Sequence, residues 1–146
     1  MIYISHRGNV TQKIPELENK PSYIYAALNA GYEVEIDLWY DNSWWLGHDE
    51  PQYKLEGYSD LFELCWLHCK NAKALNQLIG SGLHYFWHEV DRYTITSRGY
   101  IWTFSGQPVP KGAICVLPET YATNVTDLKA CGGICSDIIQ KYKFNE

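Results

Sequence analysis

The sequence predicts an α/β fold: a shortened or incomplete (β/α) barrel of the TIM type, with mainly parallel strands, forming one domain over residues 1–146. Three observations carry this. Short apolar runs of β-type composition alternate with short helical stretches. Several runs end in polar or ionisable residues, as do strands whose C-terminal ends form the mouth of a barrel. The chain's 146 residues suffice for one core, whereas a complete eightfold barrel takes about 250. Some helices are therefore expected to be reduced to loops.

Taken in order, Ile2-Tyr3-Ile4-Ser5 is a short strand that stops at His6-Arg7-Gly8. A polar loop with Pro15 and Pro21 leads to a helix over Tyr23–Asn29, with Ser22 as its expected cap and Gly31 just past its end. From Tyr32 to Trp39 the residues alternate, with Val34, Ile36 and Leu38 on one side and Glu33, Glu35 and Asp37 on the other. A period of two is the mark of a strand. Asp41-Asn42 is turn chemistry, and Trp44-Trp45-Leu46 is a second β run, ending at Gly47-His48-Asp49. A helix is expected from Tyr58-Ser59-Asp60 to Leu64, a strand over Cys65–Cys69, and a helix over Ala72–Ile79 closed by Gly80 and Gly82. Further β runs follow at Tyr85–Val90, Tyr100–Phe104 and Ala113–Leu117. A helical turn at Thr126–Ala130 precedes Gly132-Gly133 and the apolar run Ile134–Ile139.

Composition narrows the function. A net charge of −5 with no basic run argues against a nucleic-acid partner, which needs clustered Lys and Arg to displace counterions. No stretch approaches the roughly 20 apolar residues that span a bilayer. The opening residues lack the basic and apolar regions of a signal peptide. The five cysteines, at 65, 69, 115, 131 and 135, show neither CxxC spacing nor an even count. Reduced thiols and a cytoplasmic location are expected. Two N-x-T sequons, at Asn9 and Asn124, carry little weight, because short sequences meet that pattern by chance.

Three clusters carry chemistry. In Ser5-His6-Arg7-Gly8-Asn9, a titratable imidazole sits beside a permanent cation that can grip phosphate with two parallel hydrogen bonds. In Glu33-x-Glu35-x-Asp37, three carboxylates share one strand face and repel unless a cation lies among them. Oxygen donors of this kind suit Mg²⁺ or Ca²⁺. In Gly47-His48-Asp49-Glu50, a second His follows the next β run and is expected across a small mouth from His6. Two histidines flanking a phosphate form a general acid–base pair. Farther on, Phe86-Trp87-His88-Glu89-Val90-Asp91 is dense in polar groups, and His88, Glu89 or Asp91 is expected to reach the mouth.

Read together, His6-Arg7-Gly8, Glu18-Asn19, Glu35-Ile36-Asp37 and His48-Asp49 resemble, in order and spacing, the signature of glycerophosphodiester phosphodiesterases. These belong to the superfamily of phosphatidylinositol-phospholipase-like barrels. The resemblance covers roughly residues 2 to 51. Beyond them, Trp66-Leu67-His68-Cys69-Lys70 is similar to the family's third-strand segment, Trp102-Thr103 to a late-strand pair, and Gly132–Asp137 to its closing strand.

The resemblance implies His6 and His48 as the acid–base pair, Arg7 on the phosphate, and Lys70 as a further catalytic charge. It implies Glu35 and Asp37 as metal ligands and Glu18 and Asn19 as supports. Arg7, Lys70, His88 and Trp102 are the expected substrate contacts. His68 stands where the family has its third metal-binding Glu. The family's cofactor is Mg²⁺ or Ca²⁺, while an imidazole suits Zn²⁺ or Mn²⁺ better. Glu89 or Glu119 is an alternative third ligand. The expected partner is a small phosphodiester or phosphosugar, acted on by metal-assisted hydrolysis. The alternative expectation is a non-catalytic or repurposed barrel that binds a phosphorylated sugar or glycan. Substrate identity and oligomeric state are not encoded in these patterns.

Overall fold

The structure is a computed structural model that describes residues 1–56, 59–120 and 128–143. Ten strands form one curled, mixed half-barrel sheet: β1 (Ile2–His6), β2 (Glu33–Tyr40), β3 (Trp44–Leu46), β4 (Tyr53–Leu55), β5 (Cys65–Cys69), β6 (Tyr85–Trp87), β7 (Tyr93–Ile95), β8 (Ile101–Thr103), β9 (Ile114–Val116) and β10 (Gly133–Ser136). Among the described residues four short helices accompany them: α1 (Pro21–Asn29), α2 (Leu61–Leu64), α3 (Ala72–Leu78) and α4 (Ile139–Lys143).

The expected TIM-type alternation of strand and helix is thus overturned: the chain is mostly β, with few helices. Among the described residues six strand pairings are parallel and three are antiparallel. Their order is β4-β3-β2-β1-β10-β9-β8-β7, with β5 also pairing β2 and β6 pairing β5.

The physical reason lies in the connections. Among the described residues only β1-α1-β2 and β5-α3-β6 are crossovers through a helix of more than one turn. The segment after β2 folds back as the antiparallel meander β2-β3-β4, and β7 and β8 form a hairpin around Ser97-Arg98-Gly99. Between β8 and β9, Gly106, Pro108 and Pro110 deny the backbone a helix.

Smaller departures have local causes. Pro21, not a residue after Ser22, opens α1, because its fixed φ suits the first helical position and its missing N–H has no partner to lose there; Lys20 is the cap. Asn71 does cap α3, its side chain accepting from the Ala74 N–H at 2.9 Å. The strands Tyr53–Leu55 and Tyr93–Ile95 were not predicted, and neither was the helix Ile139–Lys143. Thr126 and Asp127 of the expected helical turn at Thr126–Ala130, and the Asn124 sequon, lie outside the described residues.

Both faces of the sheet's central strands are buried. On the outer face Val34, Ile36, Leu38, Leu67 and Cys69 pack with Ile24 and Ala27 of α1 and Ala74 and Leu78 of α3. On the inner face Ile4, Trp66, Phe86, Trp102, Ile114 and Cys135 form one cluster. Phe86 and Trp102 rings meet at 4.6 Å and Trp66 and Trp102 at 5.8 Å. These large rings fill the concave side with few residues, which is how a short chain completes a core. Because side chains alternate along a strand, the inner face also carries His6, Glu35, Asp37, His68 and Lys70. Among the described residues no helix is long and apolar enough to cross a membrane. All five cysteines are buried, and burial lifts the Cys69 thiol to about 12, so nothing here marks it as a nucleophile.

His84 lies in this inner layer, 5% exposed, its ring 3.9 Å from that of Trp66 and its Nε2 2.8 Å from Thr96 Oγ1. Burial and the Arg98 charge push its pKa down to about 4. The unfolded chain therefore binds a proton that the folded chain refuses. His84 leaves stability intact above pH 6.5 and erodes it as pH falls from there toward 4. In thermal melts between pH 7 and 4.5, wild type is expected to lose more of its melting temperature than His84→Gln.

Candidate active site

Register builds the site. Parallel pairing sets His6 of β1 opposite Glu35 of β2, and Asp37 of β2 opposite His68 of β5. Four inner-face groups are thereby brought together near the C-terminal ends of three adjacent strands. The cavity above them, of about 480 Å³, is lined by His6, Arg7, Glu35, His48, His68 and Lys70 on its polar side, with His88 and Glu89 at the β6 end. Trp102, Phe104, Val116 and Leu117 wall the other side.

Arg7 reaches this cavity through a left-handed backbone, φ +56°. Such a conformation costs of order 1–3 kcal/mol in a non-glycine residue. Its N–H donates to Glu35 O at 2.9 Å, and its carbonyl accepts from Asn19 N at 3.0 Å, so both neighbouring elements hold it there. Gly8 then clears the way for α1: a Cβ at that position would stand 2.6 Å from Tyr23 Cδ1.

The guanidinium of Arg7 donates from Nη1 to Glu18 Oε2 at 3.1 Å. Its Nε is only 2.8 Å from Asp37 Oδ2 but is not aligned on it for a hydrogen bond, so this contact is an ion pair. Burial opposes the charge on Arg7, but Asp37, Glu35 and Glu18 outweigh it and raise its pKa.

Asp37 is the hub. It is fully buried, and Asn19 grips it twice: Asn19 Nδ2 donates to Asp37 Oδ2 at 2.8 Å, and Asp37 N donates to Asn19 Oδ1 at 2.9 Å. Around it lie His48 Nδ1 at 3.5 Å, His68 Nδ1 at 3.2 Å and Lys70 Nζ at 3.7 Å. Burial alone would raise the Asp37 pKa, yet contacts with His48 and His68 and the Arg7 charge hold it well below the usual carboxylate range.

His6 is fixed by a residue that the sequence reading quoted but gave no role. Its Nδ1 donates to Asp137 Oδ1 at 2.7 Å, because an ionised carboxylate can only accept. Nε2 is left as the free nitrogen of the ring, 3.9 Å from Glu35 Oε2. Asp137, just past β10, also accepts from Asn9 Nδ2 at 2.8 Å, and its own N–H donates to Glu119 Oε1 at 2.8 Å. Burial disfavours the Asp137 anion, but His6 foremost, then Asn9 and the Lys13 charge, lower its pKa. The available signals were the Asn9 that follows His6-Arg7-Gly8 and the Asp that ends the closing strand. Nothing in the sequence pairs positions 131 residues apart.

His48 stands at the rim on β3's exit, with its side chain 42% exposed. Its Nε2 is 3.5 Å from Arg7 Nη2 and 3.6 Å from Asp49. His68 is buried against Phe86, ring to ring at 4.9 Å, and its Nε2 donates to the His88 carbonyl at 2.7 Å. That bond leaves Nδ1 facing Glu35 Oε1 at 3.3 Å and Asp37 Oδ1 at 3.2 Å. His88 is itself held by Asp91, Nδ1 to Oδ2 at 2.9 Å. Trp102 is 3% exposed and forms cavity wall.

Glu35, Asp37 and His68 are also the donor set that can hold a metal ion, with one ligand atom from each lying within 4.8 Å of the others. Three observations support the fit. Glu35 Oε2 and Asp37 Oδ1 are buried without an aligned hydrogen-bond donor among the described residues, an arrangement that is costly unless a cation compensates it. The 3.2 and 3.3 Å separations about His68 Nδ1 are those of neighbouring ligand atoms sharing an ion at about 2.0–2.1 Å. A metal-bound imidazole also characteristically donates its other N–H to a carbonyl, as His68 does.

Of the sequence-predicted residues, Glu33 does not join the site: it is exposed and accepts from Trp66 Nε1. Glu119 supports Asp137, and Glu89 sits at the exposed rim. No family model matches the chain, and neither does any curated protein or solved structure.

Proposed function

We propose that this protein is a phosphodiester hydrolase that works by histidine acid–base catalysis beside a divalent cation. One observation carries the reading: His6, with its Nδ1 locked by Asp137, and His48, at the rim, line the same cavity as Arg7 and Lys70, directly above the Glu35–Asp37–His68 donor set.

Each group has a task that follows from its place. Arg7 and Lys70 bring positive charge to the phosphate; Arg7 does so on a rigid mount. The locked tautomer gives His6 Nε2 as the atom that takes a proton from the attacking hydroxyl or water. His48, half-exposed at the rim, supplies a proton to the departing oxygen. Glu35, Asp37 and His68 would hold the metal, which would polarise a phosphoryl oxygen. A nitrogen ligand favours Zn²⁺ or Mn²⁺ over Ca²⁺. The cavity's size suits a small diester or phosphosugar.

A second reading rests on His68. Burial resists its charge, but contacts with Asp37 and Glu35 push its pKa up to about 9. Without a metal its own proton fills the cation position at neutral pH, and the cavity becomes a phosphate-binding site with no metal-assisted step. Hydrolysis of bis(p-nitrophenyl) phosphate across Mg²⁺, Ca²⁺, Mn²⁺ and Zn²⁺ separates the two. Turnover that depends on metal supports the hydrolase, and none with any ion supports the binding site.

Asp137 acts through His6, and its removal has a distinct signature. Asp137→Asn is expected to lower kcat by about 10²–10⁴-fold through the wrong imidazole tautomer, with KM nearly unchanged. A shift confined to KM would assign Asp137 to binding instead.

A further inference from the structure

His6 and Arg7 are neighbours in the chain, yet each is held by a different buried carboxylate. His6 Nδ1 lies 2.7 Å from Asp137 Oδ1, and Arg7 Nη1 lies 3.1 Å from Glu18 Oε2. Asn9 joins these two carboxylates. Its amide nitrogen donates to Glu18 Oε1 at 2.9 Å and to Asp137 Oδ1 at 2.8 Å. Ionised carboxylates only accept, so the partners fix which way the amide points. The contacts run His6–Asp137–Asn9–Glu18–Arg7, and the peptide bond between His6 and Arg7 closes them into a ring.

Asn9 itself is held on every side. It is 0% exposed, and its Oδ1 accepts from Ile14 N at 3.0 Å and from Tyr23 Oη at 3.3 Å. All four hydrogen-bonding positions of the amide are thus filled. Its backbone is pinned as well, with N donating to His6 O at 3.0 Å and O accepting from Ser5 Oγ at 2.8 Å. The amide group is planar, so its two N–H bonds cannot be re-aimed separately. Any movement of Glu18 that turns the amide also moves the donor on Asp137.

Building on the hydrolase reading above, we propose that Asn9 is a positioning residue that couples the phosphate-binding Arg7 to the acid–base His6. Through Glu18 it sets where the Arg7 guanidinium stands, and through Asp137 it sets how the His6 ring is turned. Arg7, drawn toward a bound phosphate, is restrained by the same group that restrains His6, and the two keep their spacing about the phosphorus atom. Asn9 does not line the cavity, and its effect is exerted through the two carboxylates.

The test centres on Asn9→Asp. This variant keeps the shape and an acceptor for Ile14 and Tyr23, but a carboxylic acid has at most one O–H to donate, so it can serve Glu18 or Asp137 and not both. Two readouts are followed on the isotope-labelled full chain with Zn²⁺. One is the NMR shift of the His6 ring nitrogens, which reports the tautomer, and the other is steady-state hydrolysis of bis(p-nitrophenyl) phosphate. Glu18→Gln, on the Arg7 side of the ring, is expected to move the His6 shifts while Asn9 is present and to leave them in place in the Asn9→Asp background. Asn9→Asp is expected to raise KM and lower kcat together, each by about tenfold, whereas Asp137→Asn acts on kcat.

His6 shifts that ignore Glu18→Gln in the native background, or respond equally in both, overturn the coupling and reduce Asn9 to a structural residue. A change in KM or in kcat alone does the same. If Asn9→Asp does not fold, Tyr23→Phe takes its place, because it loosens the Asn9 amide without removing a bond to either carboxylate. A His6 response to Glu18→Gln that Tyr23→Phe leaves undiminished then overturns the coupling. If the wild-type chain shows no turnover, the hydrolase reading falls, and the NMR comparison decides the coupling by itself.

Discussion

Asp37→Asn is expected to destabilise the folded chain by about 3–5 kcal/mol, the usual cost of stranding a buried charge by removing its partner. Asp37 is 0% exposed, and its carboxylate faces Arg7 at 2.8 Å, His68 at 3.2 Å and Lys70 at 3.7 Å. Asparagine has the same shape but lacks the charge, so Arg7 falls back on Glu18 and the His68 proton on Glu35. A loss of this size is a large share of the 5–15 kcal/mol that holds a domain together.

The same residue sets an acid limit. Its pKa is lowered in the folded state, so the folded chain keeps Asp37 ionised where the unfolded chain takes up a proton. The stabilisation is fully present above the ordinary carboxylate pKa near 4 and drains away as pH falls below it. Urea melts of wild type and Asp37→Asn in chelator, at pH 7 and pH 3.5, are expected to show a gap that narrows at the lower pH. A variant within 1 kcal/mol of wild type at pH 7 would mean that the hub is solvated in solution.

His6→Ala and His48→Ala are each expected to lower kcat/KM by about 10²–10⁴-fold, the range that a positioned acid or base contributes. The double variant should fall little further than the worse single one, because two groups serving one proton relay are not additive. The variants differ in what else they disturb. His48 is at the rim, and its loss should leave the melting temperature within a few degrees of wild type. His6 is 6% exposed and bonded to Asp137, so His6→Ala also strands a buried carboxylate and should melt lower. His48→Ala is therefore the cleaner test: a folded chain with wild-type turnover would remove His48 from the chemistry.

The parts of this site that were legible in the sequence are those carried by local pattern. The period-two run from Val34 to Leu38 puts Glu35 and Asp37 on one face, and the fold turns that face inward. The polar stops after β1 and β3 located His6, Arg7 and His48. What local pattern cannot carry is register. That Asp37 faces His68, and that His6 meets Asp137, are outcomes of long-range pairing between strands far apart in the chain. Glu33 shared the period of Glu35 and Asp37 but lies one pleat nearer the strand's start, where Trp66 takes it up.

The fold itself was misread for a related reason. Short apolar runs are common to strands of parallel and antiparallel sheets, so the runs at Trp44–Leu46 and Tyr100–Phe104 do not by themselves reveal that each pairs antiparallel with a neighbour. Tyr93–Ile95 escaped notice because its residues are exposed or only partly buried, leaving no apolar alternation to find.

The most direct test of the central claim, that acid–base pair and cation site work as one centre, is a metal add-back. The chain is stripped with chelator, and its rate of bis(p-nitrophenyl) phosphate hydrolysis is followed as Mn²⁺ or Zn²⁺ is returned to wild type and to His48→Ala. The account predicts that metal restores turnover in wild type and leaves the variant at least a hundredfold slower. Equal restoration in both, or no turnover in either, would contradict it.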